Sequence, residues 1–362
     1  RYLRDNKIIP MTLSAAEGSF KKSRKLRVAQ FIATAVKPVS KQTAESWKIL
    51  AIDIETYNKS REIDFENNPI LMIAFYGQDE EQNIFKKVIT WKDFPHSLDY
   101  IEIVKNEEQL LQRFREEIIT YSPQIITGYF TDGFDFPYLL ARAGKFNVTL
   151  DLGLDESPLR IRSRAGLRSS EAAIRGILHL DLFKFIRNIF GGNLHTDSYS
   201  LDAVAKELLG ETKEEVNLNE LSTVWDERPG ELESFVSYNL RDAYLTWQLC
   251  LKLLFDVIEF TRIIGLPAYD VTRMRFSRLV ENYILRRAIG QEVIAPNKPS
   301  SQQIEQRRSA SIQGAFVYQP TPGLYQNVAV FDFRSLYPTI ISAHNIGPEG
   351  LNCKCCEQNK VP

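Results

Sequence analysis

The chain has 362 residues, and its 45 Lys and Arg against 46 Asp and Glu leave a net charge of −1. That length accommodates two or more domains, and 44% hydrophobic with 25% charged residues is ordinary globular composition. No apolar run approaches the roughly 18–20 residues of a membrane span, and Arg1-Tyr2-Leu3-Arg4-Asp5 lacks the apolar core of a secretion signal. A soluble, intracellular (cytoplasmic) protein without membrane contact is therefore expected.

Residues 1–46 are mixed and basic, with β-like runs such as Leu26–Ala33 and a cluster of Lys21, Lys22, Arg24, Lys25 and Arg27. Trp47–Thr56 is nearly continuous apolar sequence ending in acids, the pattern of a buried central strand. Ile70–Tyr76 and Phe85–Trp91 predict two more strands. Asn106–Tyr121 has helical spacing through Leu110, Leu111, Phe114 and Ile118, with Asn106 as N-cap. Gln124–Tyr129 predicts a short strand, followed by a turn and a helix around Phe136–Phe146. Arg160, Arg162, Arg164, Arg168 and Arg175 form a second basic stretch, which is equally a solvated strand face. Ile177–Leu182 predicts a strand, Ser200–Leu209 a helix closed by Gly210, and Glu231–Ile264 a long helix ending at Gly265. Strands followed by alternating strand and helix imply an α/β domain with a mixed sheet. After a boundary, Phe276–Ala288 is helical, a break falls at Ala295–Pro299, and Val328–Phe333 reads as another buried strand ending in an acid.

Near-neutral net charge does not exclude a nucleic-acid enzyme, because a basic groove and an acidic metal site cancel in the sum. With four His and four Cys, a metal is better held by carboxylates, which suit magnesium and manganese. Cys250 lies in a helical pattern as a core residue. Cys353, Cys355 and Cys356 crowd together without the second pair that a zinc site needs.

Asp53 and Glu55 stand two apart on a strand and leave by the same face. Alone, they are an ordinary solvated strand end. Asp135 follows a short strand at a helix start, where an acid alone is an N-cap. Tyr238 and Asp242 are four apart on a helix, hence on one face. Together these acids are able to converge at one sheet edge. Four carboxylates held close repel unless cations lie between them. Two divalent ions roughly 3.5–4 Å apart suit in-line displacement at phosphorus, with the Tyr238 hydroxyl orienting water.

Asp53-Ile54-Glu55-Thr56 resembles the first exonuclease motif of family B DNA polymerases, Gly133-Phe134-Asp135-Phe136-Pro137-Tyr138-Leu139 the second, and Tyr238-x-x-x-Asp242 the third. The order is that of the DEDDy 3′→5′ exonucleases, which share a ribonuclease H-like fold. The resemblance implies that Asp53, Glu55, Asp135 and Asp242 bind two Mg2+ or Mn2+ ions and that Tyr238 positions water. Asp332-Phe333-Arg334-Ser335-Leu336-Tyr337-Pro338 resembles polymerase motif A. It implies a polymerase metal at Asp332 and an incoming nucleotide at Tyr337. Arg1–Met11 and Ala295–Pro299 also resemble archaeal-type members of the family.

The resemblance implies an N-terminal segment (1–46), an exonuclease domain (47–265), and linker helices with an incomplete palm (266–362). Frayed or single-stranded DNA 3′ ends are the expected substrate, released as 5′-mononucleotides. Arg160, Arg162, Arg164 and Arg168 lie where the family has a strand-separating hairpin and are candidate DNA contacts, with Phe134 and Tyr199 as stacking candidates. Phe130 stands where the family has Asn, and Ile312-Gln313-Gly314-Ala315 lacks the Tyr of a family junction element. The palm, fingers and thumb are largely missing, so polymerisation by this chain alone is not expected. A fragment, part of a longer chain, or one subunit awaiting a second polymerase chain all remain open. So does a catalytically silent DNA-binding scaffold.

Overall fold

The structure, a computed structural model, describes residues 2–21, 26–44, 46–59, 63–79, 81–162, 170–211, 216–291, 293–295, 297–310 and 314–347. The chain forms two compact units, residues 1–296 and 297–362.

The first unit opens with helix α1 (Tyr2–Asp5) and an exposed antiparallel hairpin of β1 (Ser14–Lys21) and β2 (Gln30–Pro38). Strands β3 (Ile49–Thr56), β4 (Ile70–Gln78), β5 (Ile84–Thr90) and β6 (Ile101–Ile103) follow, then helix α2 (Glu107–Tyr121), strand β7 (Ile125–Gly128) and helix α3 (Asp135–Lys145). A small antiparallel pair, β8 (Arg160–Arg162) and β9 (Glu171–Ala173), precedes β10 (Leu178–Asp181). Helices α4 (Leu182–Phe185), α5 (Leu201–Leu209), α6 (Leu221–Glu227), α7 (Leu232–Ile264), α8 (Ala268–Val271) and α9 (Phe276–Gly290) complete the unit, with a π-helical turn at Ile186–Phe190.

The central sheet has the strand order β10-β7-β3-β4-β5-β6. Strands β10, β7 and β3 run parallel, β4 is antiparallel to both β3 and β5, and β6 is parallel to β5. Strand β3 is apolar along its length because both its faces are covered. Its alternate residues divide between two cores. Leu50, Ile52 and Ile54 pack with Leu110, Leu111 and Phe114 of α2 and Phe136 and Leu139 of α3. Ile49 and Ala51 pack on the opposite face with Val204 of α5 and Leu245, Leu249 and Leu253 of α7.

The helix ends follow the signals in the sequence. Asn106 Oδ1 accepts from the Gln109 amide at 2.9 Å, and Ser200 Oγ accepts from Ala203 at 3.3 Å. Gly210 (φ 74°) and Gly265 (φ 77°) close α5 and α7 in the left-handed conformation that glycine adopts without a Cβ clash. Cys250 is buried in α7, and burial pushes its thiol up to about 12.

The second unit contains α10 (Ser301–Ser309), capped by Ser300 and Gln303, and α11 (Leu336–Ala343). The buried strand expected at Val328–Phe333 is not formed. These residues are irregular, and Val330 and Phe331 are 91% exposed. A strand needs a neighbour to accept its hydrogen bonds, and the described residues of this unit contain none.

A buried ion pair fastens α3 to α2. Glu107 accepts from Arg142 Nε at 2.7 Å, from Arg142 Nη2 at 2.5 Å and from the Ile70 amide at 2.8 Å. Both side chains are nearly inaccessible to water. Arg142→Met strands the Glu107 carboxylate without a counter-charge, and urea unfolding is expected to record a loss of about 3–5 kcal/mol. A loss below about 1 kcal/mol would contradict a stabilising role for this pair.

Candidate active site

Asp53 and Glu55 share the β3 face of Ile49 and Ala51, the face covered by α7. Asn239 of α7 meets Asp53 there, with Nδ2 donating to Asp53 Oδ2 at 2.7 Å. Tyr238, half-buried, adjoins Asn239, and Asp242, buried, follows one helical turn later. The third and first motifs are thus brought together by the packing of α7 across β3. Glu55 opens into a cleft of about 480 Å³ that is also lined by Thr56, Asn58, Lys59, Leu218, Asn219 and Leu221.

Asp135 reaches the same strand end from α3. Pairing between β3 and β7 stops at Ala51 and Thr127, which frees the β3 backbone beyond. The Ile54 amide there lies within hydrogen-bonding reach of the Asp135 carboxylate and favours its ionised form. Burial pushes Asp135 up to about 7, and the nearby charge of Asp181 adds to this. Asp181, at the end of β10, is pushed up to about 6 by burial and then by Asp132. The carboxyl ends of the three parallel strands therefore gather acids, at the edge where open α/β sheets place their ligands.

The donors suit hard divalent cations: carboxylate oxygens, one of them on a buried carboxyl that holds its charge only at a penalty. Asn239 Oδ1, buried beside Asp53, has no hydrogen-bond partner among the described residues, so a polar group to satisfy it is wanted there. Among the described residues, no three Asp, Glu, His or Cys side chains are already arranged as a ligating group. The fit is one of donor chemistry and location rather than of a preformed cage.

The family model for the DNA polymerase family B exonuclease domain matches residues 1–204, more than half of the chain, and that for DNA polymerase family B matches residues 266–362. The chain belongs to DNA polymerase family B. It is 37% identical over 318 residues to DNA polymerase 1 of Pyrococcus abyssi, a match covering 88% of this chain and 39% of that protein. It is 35% identical over 318 residues to a DNA polymerase of Thermococcus litoralis, covering 88% of this chain and 18% of that one. The fold resembles that of the family B DNA polymerase from the hyperthermophilic archaeon Pyrobaculum calidifontis, with a TM-score of 0.72, 24% identity, and coverage of 96% of this chain and 42% of that one. The expected ribonuclease H-like α/β fold with a mixed sheet is the one observed. The chain spans about two-fifths of the Pyrococcus abyssi relative and less of the other.

In this family B chain the remaining predicted residues are dispersed. Phe134, half-buried, precedes Asp135, and its ring packs on Tyr138 at 5.4 Å. Arg160 and Arg162 are exposed on β8. The Tyr199 hydroxyl donates to Gly191 O at 2.7 Å, so its ring is held against the turn after α4. Asp332 lies in irregular chain before α11 and Tyr337 in the first turn of α11, both exposed and both within residues 297–362. Arg164, Arg168, Lys22, Arg24, Lys25, Ile312, Gln313, Cys353, Cys355 and Cys356 fall outside the described residues. No helix of the described residues is long and apolar enough to cross a membrane.

Sequence reading missed Asn239, Asp181, His179, Lys184 and Arg273, and offered Asp132 only as a contact for DNA or water where Phe130 replaces the family Asn. Asp181 was visible in principle: Leu178–Asp181 is a buried strand ending in an acid, the signal that exposed Asp53. The other five become significant only through partners distant in sequence. Asp132 is fully buried and paired with Arg273 and Lys184. Burial opposes its ionisation, but His179, Arg273 and Lys184 outweigh burial and hold the carboxyl below its ordinary range. His179, also fully buried, is pushed down to about 4 chiefly by burial, with Arg273 acting in the same direction against Asp132.

Because the folded pKa of His179 lies below the unfolded value of 6.5, the stability it contributes is intact above pH 6.5. It is lost as pH falls toward 4, where the unfolded chain binds a proton that the folded chain refuses. Urea unfolding of the parent should weaken relative to His179→Gln by about 2 kcal/mol between pH 7 and pH 5. Parallel pH curves for the two proteins would contradict a buried neutral His179.

Proposed function

We propose that residues 47–265 form a 3′→5′ DNA exonuclease, the proofreading part of a family B DNA polymerase, which removes 5′-mononucleotides from the primer end. The observation that carries this reading is the placement of Asp53, Glu55 and Asp135 at one strand end, with Asp53 tied to the helix of Tyr238 and Asp242 through Asn239. In this reading, Asp53, Glu55, Asp135 and Asp242 hold two Mg2+ or Mn2+ ions. The chemistry those ions supply when bound is a lowered pKa for the attacking water and neutralisation of charge on the leaving oxygen.

The chain's own residues do the rest. The Tyr238 hydroxyl orients the attacking water toward phosphorus. Asn239 fixes the Asp53 carboxylate through the 2.7 Å bond to Oδ2, so that this ligand does not reorient during the reaction. The cleft beside Glu55 has room for the terminal nucleotide, and Lys59, which lines it and pairs with Asp226 at 2.6 Å, is the cation there to meet a phosphate. Phe134 offers an aromatic face for a terminal base, and the exposed Arg160 and Arg162 neutralise backbone phosphates; the same roles are proposed for Tyr199, Arg164 and Arg168. An unpaired end enters at less cost than a paired one, which favours mismatches. Asp332 and Tyr337 belong to the polymerase site, as a metal ligand and a nucleotide contact.

Incubation of the chain with 5′-labelled single-stranded DNA and Mg2+ or Mn2+ should give a ladder shortened from the 3′ end. Asp53→Ala should slow it by on the order of 100-fold or more, and EDTA should abolish it. Intact DNA with either metal would contradict the reading and leave a DNA-binding scaffold.

A further inference from the structure

Arg273 lies between α8 and α9, in the part of the chain that matches the polymerase family model, whereas Asp132 and Asp135 lie in the part that matches the exonuclease model. Yet the Arg273 guanidinium is only 4% exposed and clamps Asp132 from two sides. Nε donates to Asp132 Oδ2 at 2.9 Å and Nη2 to Oδ1 at 3.1 Å. Lys184 Nζ adds a bond to Oδ2 at 2.8 Å, and the Ala172 amide a bond to Oδ1 at 2.7 Å. The Asp132 amide in turn donates to Asp181 Oδ2 at 2.9 Å. Arg273 also donates through Nη1 to His179 O at 3.1 Å, and its Nη2 lies 2.9 Å from His179 Nδ1. Nδ1 also lies 3.0 Å from Ala172 O and Nε2 2.9 Å from Thr131 Oγ1, so the tautomer decides which of these contacts the ring donates.

We propose that the Arg273–Asp132 ion pair is a positioning device for Asp135, through which the polymerase-matched segment holds the turn that presents an exonuclease carboxylate. This rests on the exonuclease reading above.

Three observations lead there. The turn is tight: Gly133 and Phe134 amides donate to Phe130 O at 2.9 and 3.0 Å, and Phe136 N donates to Thr131 O at 3.1 Å. Moving Asp132 therefore moves Asp135. The turn is also not held by its own sequence. Phe130 has φ 68°, a left-handed conformation unfavourable for a bulky residue, which persists only where its surroundings impose it. Its ring lies against Gly133, where an added Cβ would come within 2.4 Å of it, and packs edge-on to Phe183 at 5.1 Å. Finally, α3 begins without a side-chain cap, so its first turn takes its place from tertiary contacts. A fully buried ion pair is a poor source of net stability compared with apolar residues. Its bidentate geometry, however, fixes direction.

The test compares the parent with Arg273→Met, Arg273→Lys and Arg113→Met. Arg113 pairs with Glu102 and Glu117 on the outer side of α2 and serves as a control for lost ion pairing. Mn2+ binding is read by electron paramagnetic resonance on folded protein, and kcat and KM on single-stranded DNA. Arg273→Met should weaken Mn2+ binding and lower kcat by about 10–100-fold, with KM for DNA within about threefold of the parent. Arg273→Lys, which keeps the charge but not the fork, should fall between. Arg113→Met should match the parent in both readouts. If Arg273→Met does not fold, Arg273→Lys alone decides, with Mn2+ binding weakened at least about threefold. A parent that cleaves DNA while the Arg273 variants bind Mn2+ and turn over as it does would overturn this inference alone. A parent that neither cleaves DNA nor binds Mn2+ better than Asp53→Ala would overturn the exonuclease reading and this inference with it.

Discussion

Negative charge buried at the carboxyl ends of β3, β7 and β10 is the constraint on which the rest of the structure depends. Burial penalises an ionised carboxylate heavily unless a cation or several donors compensate it. Two solutions lie side by side. Asp132 is compensated within the protein by Arg273, Lys184 and a backbone amide. Asp135, three residues later, has backbone amide donors but no cationic partner among the described residues, and burial pushes its carboxyl upward. A site that leaves one acid uncompensated while neutralising its neighbour completely is suited to receiving a metal ion at the first. The same low-dielectric surroundings that penalise an uncompensated carboxylate would strengthen its hold on a divalent ion.

The fold gives these acids their relation to one another. Alternation along β3 sends Leu50, Ile52 and Ile54 into one core and turns Asp53 and Glu55 toward α7. The long α7 then brings Tyr238, Asn239 and Asp242 over that strand end, and the early end of β3–β7 pairing leaves the Ile54 amide for Asp135. Three segments far apart in sequence thus meet through strand parity, one helix packing and one free amide.

Much of this was legible in the sequence, because the signals were local. Apolar runs marked β3, β4, β5, β7 and β10, Asn106 and Ser200 marked helix starts, and Gly210 and Gly265 marked helix ends. The paired acids on β3 and the four-residue spacing of Tyr238 and Asp242 were visible for the same reason. The Asp132 network was not, since its partners lie 40 or more residues away and each alone has an ordinary explanation. Val328–Phe333 failed in the opposite sense. Its composition is that of a strand, but strand formation is a property of a pair.

The central claim is that the carboxylates at the β3 end hold divalent ions against a DNA 3′ end. The most direct measurement is anomalous diffraction at the manganese edge from crystals of the chain with Mn2+ and a short single-stranded oligonucleotide. The account predicts two manganese peaks roughly 3.5–4 Å apart, ligated by Asp53, Glu55, Asp135 and Asp242, with the 3′-terminal phosphate beside them. Bound oligonucleotide with no manganese at these carboxylates, or with its 3′ end lodged elsewhere, would contradict it.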